Sequence, residues 1–125
     1  MRFYKLDGQQ AILCDDLMEW ALWLESADRR VSLDEFDGFT VSTVFLGLDH
    51  NHFGTGDPLL FETMVFCDDP EVDEPRGGGV RRYFTWAEAQ DGHQQVVRTV
   101  KTELEMGFVD AADVLAKIMK TAWPV

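Results

Sequence analysis

"TVSTVFLGL" (residues 40–48) and "PLLFETMVF" (58–66) are the two stretches on which the fold turns. The first is dense in β-branched and aromatic side chains, which suit the pleated, half-buried surface of a strand. The second is almost continuously apolar, the pattern of a strand with both faces at least partly covered. They read as central strands of one sheet. The glycine-studded stretch from Asp49 to Pro58 joins them, and Gly54, Thr55, Gly56 and Asp57 supply its turn chemistry.

Working outward, "RFYKL", "DG" and "QQAIL" read as a hairpin, because Asp-Gly tolerates the positive φ of a two-residue primed turn. In "DDLMEWALWLESA" the spacing of Leu17, Trp20, Ala21 and Leu24 marks one helical face, capped by Asp15 or Asp16. "RRVSLDEF" is a modest strand before the turn "DGF". On the far side, "CDDPEVDEPRGGGV" reads as a loop and "RRYF" as a short strand. Thr85 then caps a long helix, with Glu88 three residues on completing the capping-box spacing. Its inward stripe is Trp86, Ala89, His93, Val96, Val97, Val100 and Leu104, and Gly107 is its terminator. A last helix, "DAADVLAKIMKTAW", gathers Val114, Leu115, Ile118 and Met119 on one side. This order, without regular βαβ alternation, predicts one α+β domain over residues 1–125, with helices packed on one face of a mainly antiparallel sheet.

Charge is the strongest compositional signal: 11 basic against 23 acidic side chains, a net charge of −12. Residues 31–75 hold 11 of the acids and no base, whereas the segments before and after carry −2 and +1. Such a field repels a phosphate backbone and attracts basic surfaces. Direct nucleic-acid binding is therefore disfavoured, and a basic protein surface is the expected partner. Asp68, Asp69, Glu71, Asp73 and Glu74 form the densest acidic run, and Trp23 is the aromatic expected to be partly exposed to that partner. Cys14 and Cys67 form no CxxC pair, which fits a reducing compartment. The N-terminus has no signal-peptide core, and no apolar run reaches the roughly 18 residues of a membrane span. The chain reads as cytoplasmic and not bound to a membrane.

The one alternative with its own chemistry is a divalent-metal site, or a metal-dependent hydrolase, built from Asp49, His50, Glu62 and His93. That spacing matches no specific zinc or iron signature, so no cofactor is the first expectation. The tripeptide "HNH" at 50–52 carries no nuclease signal, because in such nucleases the three residues are not contiguous. Glu62, on an apolar strand, needs a partner, with Arg81 or Arg82 nearest to hand. His93, on the helical stripe, reads first as a core histidine, and Gly92 beside it signals a close approach, most simply by the sheet.

Over residues 40–97, "STVFLGLDH", "FETMVF" and "RRYFTWAEAQDGH" resemble a group of small proteins of phages, prophages and some bacteria. Asp49, His50, Glu62, Arg82, Tyr83, Trp86, Ala89, Gly92 and His93 match that pattern. His52 does not belong to it, and Phe84 stands where a small polar residue is more usual. The resemblance implies a phage or mobile-element setting, without an activity. With the acidic segment, it yields an expected role as an accessory protein, not an enzyme, that inhibits a host defence or transcription protein by occupying its basic nucleic-acid-binding surface.

Overall fold

The computed structural model describes residues 2–36, 38–51, 56–67 and 76–105, with the backbone alone for 76–79. His52, the carboxylates Asp68, Asp69, Glu71, Asp73 and Glu74, Gly107 and the predicted last helix lie outside the described residues.

Two antiparallel strands, β1 (Phe3–Asp7) and β2 (Gln10–Cys14), form the N-terminal hairpin, followed by helix α1 (Leu17–Ser26). Strands β3 (Arg30–Phe36), β4 (Phe39–Phe45), β5 (Phe61–Cys67) and β6 (Arg76–Tyr83) form a four-stranded antiparallel sheet in chain order. The long helix α2 (Trp86–Glu105) crosses one face of it. The architecture is α+β, with the two most apolar strands in the centre.

Local chemistry accounts for most boundaries. The hairpin turn is Gly8–Gln9, one residue later than the expected Asp-Gly pair: Asp7 pairs with Gln10, and Gly8 takes φ +62°. Glycine at the first turn position needs that positive φ, so Asp7 is left to close the ladder. Asp16 caps α1 by accepting from the backbone N–H of Met18 and Glu19 at 2.9 and 3.1 Å. Thr85 caps α2 by accepting from Glu88 N–H at 3.1 Å.

Two readings need correction. "RGGGV" is not a loop: Gly77, Gly78 and Gly79 belong to β6 and pair with Phe66, Val65 and Met64. Backbone pairing needs no side chain, and β6 is an edge strand, where a weak intrinsic strand former is tolerated best. Helix α1 is also turned about its axis. Leu17 is 58% exposed and Ala21 faces solvent, whereas Trp20 is buried and Trp23 and Leu24 are partly buried. Trp20 anchors the helix by donating Nε1–H to Tyr4 O at 3.0 Å and by packing against Phe3.

The sheet alternates with period 2. Phe39, Val41, Thr43 and Phe45 of β4 and Phe61, Thr63, Val65 and Cys67 of β5 are buried beneath α2. Glu62, Met64 and Phe66 point to the opposite, partly covered face. On α2 the expected stripe is the observed one: Ala89, His93, Val96, Val97 and Val100 are buried, joined by Gly92 and Glu103. The core falls into two apolar clusters. One holds Phe39, Val41, Val65, Val80, Val96 and Val100, and the other Tyr4, Phe45, Leu60, Phe61, Tyr83 and Ala89. Between them runs a polar belt.

Candidate functional site

The belt is a continuous chain of hydrogen bonds. Thr43 and Thr63 are directly opposed across β4 and β5, and both are fully buried. Their hydroxyls lie 2.6 Å apart, Thr43 Oγ1 is 2.7 Å from His93 Nδ1, and Thr63 Oγ1 is 2.8 Å from Tyr83 Oη. At the other end His93 Nε2 lies 2.6 Å from Asp34 Oδ2 of β3, whose side chain is 40% exposed.

The donor and acceptor inventory gives the chain a direction. A carboxylate only accepts, so His93 Nε2–H donates to Asp34. For a neutral imidazole, His93 Nδ1 accepts from the Thr43 hydroxyl, Thr43 accepts from Thr63, Thr63 accepts from Tyr83, and every group is satisfied. Burial pushes the Tyr83 phenol up from its ordinary value of 10.0, against smaller opposing effects of its hydrogen bond with Thr63 and of Arg81. A phenol that keeps its proton is what the first donor in the chain must be. Arg81 sits 5.3 Å from the Tyr83 ring centre.

Asp34, His93 and Thr43 stand in the row of an acid–base–nucleophile triad. Access decides against that chemistry. Thr43 and His93 have no exposed surface, and the hydroxyl lies between sheet and helix where no substrate carbonyl can approach. The belt binds helix to sheet. Gly92 is part of the same fit, because a Cβ there would collide with the Tyr83 ring at Cε1.

The four residues expected to hold a metal are not gathered. Asp49 Oδ1 accepts from the backbone N–H of Asn51 and Leu59 at 2.8 and 3.1 Å, tying the two ends of the β4–β5 connection. His50 Nδ1 lies 2.8 Å from Leu48 O. Glu62 pairs with Arg82, directly opposite on β6, at 2.8 Å on the outer face. His93 lies under the inner face with Asp34. Among the described residues no group of three or more His, Cys, Asp or Glu side chains could hold a metal ion.

The start of the β4–β5 connection also joins the two sheets. Tyr4 N–H donates to Gly47 O at 2.8 Å, Phe3 bridges to Leu48, and Gly47 takes φ +79° against Trp20 and Leu24. "GLDH" is therefore a structural joint.

Trp23 packs edge-on against Phe45 at 5.9 Å and keeps intermediate exposure. Leu17, Met18 and Leu22 are the large apolar residues of α1 that are fully exposed.

Beyond these predicted positions, an open cleft of about 670 Å³ lies where the hairpin turn, the end of the β4–β5 connection and the start of α2 meet. Tyr4 and Phe61 form its buried floor, Phe84 and Trp86 give it aromatic surface, and Asp7 and Asp57 line it. Among the described residues, Trp86 Nε1 is buried without a hydrogen-bond partner. In the sequence Phe84 stands out only as a departure from the pattern it resembles, and nothing in local spacing joins it to Asp7 or Asp57.

Compared with known proteins, the chain matches no family model, no curated protein and no solved structure. Among the described residues no helix is long and apolar enough to cross a membrane.

Proposed function

We propose that this protein is an acidic accessory protein that acts by binding the basic, nucleic-acid-binding surface of a host protein, so inhibiting a defence or transcription factor. The observation that carries the reading is uncompensated negative charge. The ion pairs among the described residues engage Glu19, Glu62 and Asp34. Exposed Asp7, Asp15, Glu25, Glu35 and Asp57 lie outside those pairs. With the base-free stretch over 31–75, they leave a standing negative field of the sign a phosphate backbone presents. The resemblance over residues 40–97 supports a phage or mobile-element setting, and the cytoplasm is then the site of action. A metal-dependent activity has no observation in its favour, since Asp49, His50, Glu62 and His93 are each held by separate partners.

The test is association of the purified protein with basic host nucleic-acid-binding proteins across a salt series. Binding should weaken steeply with salt and be reduced when Asp68, Asp69, Glu71, Asp73 and Glu74 are neutralised together. Binding that ignores both salt and neutralisation would contradict the reading.

A further inference from the structure

We infer that the cleft between the hairpin turn and the start of α2 is a binding site for an arginine side chain presented on an extended segment of the partner. The inference rests on the binding reading above and specifies its anchor.

Three features of the lining point to this occupant. Aromatic surface from exposed Phe84 and partly buried Trp86 meets two carboxylates, Asp7 and Asp57, and among the described residues no Lys or Arg lines the cleft. A cation is attracted to the face of an aromatic ring, and a planar guanidinium stacks there while its edge donates to carboxylates. Neither Asp7 nor Asp57 has an ion-pair partner among the described residues, so neither must break a bond to engage one. The volume of about 670 Å³ exceeds one side chain and accommodates the flanking backbone, whose amides Gln9 and Gln10 on the rim are suited to bond.

The probe is the blocked tripeptide acetyl-glycyl-arginyl-glycinamide, titrated into the ¹⁵N-labelled full chain, with the citrulline analogue as its neutral isostere. Saturable shifts are expected at the Trp86 indole N–H and at the amides of Gln9, Gln10, Thr85 and Ala87. The citrulline peptide should bind about tenfold more weakly, as should the Asp7→Asn/Asp57→Asn variant toward arginine. Both positions are exposed, and amide dispersion checks that the variant is folded. Equal binding of the two peptides overturns the inference, as do shifts scattered over other surface carboxylates and indifferent to the variant.

The same variant separates this inference from the reading it rests on. If it keeps full salt-sensitive association with the basic partner, the cleft is refuted as the anchor and the acidic-surface reading stands. If the wild type binds the arginine peptide in the cleft yet no basic partner, the acidic-surface reading falls and the cleft stands.

Discussion

Replacing glycine by alanine inside a helix ordinarily stabilises it by about 1 kcal/mol, but at Gly92 the sign should reverse. The new methyl would collide with the Tyr83 ring, a rigid side chain held in the core by its own hydrogen bond. Gly92→Ala should lower the urea-unfolding free energy by about 1–3 kcal/mol, and a neutral or stabilising result would show that the helix does not rest on Tyr83. The belt makes a second prediction at this scale. Thr43→Val strands the His93 acceptor and the Thr63 donor, so it should cost about 1–3 kcal/mol. Adding Thr63→Val should cost markedly less than its effect alone, because the two share one hydrogen-bond chain. Simple additivity in the double-mutant cycle would deny the continuity of the chain. Tyr83 also carries a pH dependence. Its folded phenol titrates above its unfolded value of 10.0, so the stability it contributes is complete below that value and is lost as pH rises through the higher folded one. Urea midpoints from about pH 8 to 11 should fall more in the wild type than in Tyr83→Phe; equal falls would place the titration elsewhere.

At the scale of elements, the caps are the simplest handles. Thr85→Ala removes the acceptor for Glu88 N–H and should cost α2 about 1 kcal/mol in equilibrium unfolding, whereas no loss would mean that packing alone holds the helix start. That helix was legible in the sequence because its apolar residues fall on one stripe and its other face is polar. Helix α1 was not. Leu17, Met18, Trp20, Ala21, Leu22, Trp23 and Leu24 surround it with apolar groups, so periodicity could not orient it and the neighbours Tyr4, Phe3 and Gly47 did. Strand β6 was hidden for a different reason: three glycines carry no side-chain pattern, and their pairing is dictated by β5. Glu62 was readable as an ion-paired residue with Arg81 or Arg82, and the register of β5 and β6 selects Arg82. The belt was only half visible. His93 and Gly92 announced a core histidine and a close approach, but Asp34 lies 59 residues away and Thr43 lies 50 away, separations at which no local motif operates.

For the whole molecule, charge is the dominant property. A net charge of −12 sets the folded state against its own repulsion, so raising NaCl from about 0.05 to 0.5 M should raise the melting temperature. A fall would mean that specific ion pairs outweigh the general field. The same field carries the proposed role, because a protein surface shaped to hold phosphates with Lys and Arg is its natural complement. The most direct measurement is competition: labelled DNA bound to a basic host nucleic-acid-binding protein, titrated with this protein at several salt concentrations. Displacement of the DNA that weakens as salt rises, and that is diminished when the acidic run from Asp68 to Glu74 is neutralised, is the result predicted. DNA that stays bound at low salt under excess protein would contradict the account.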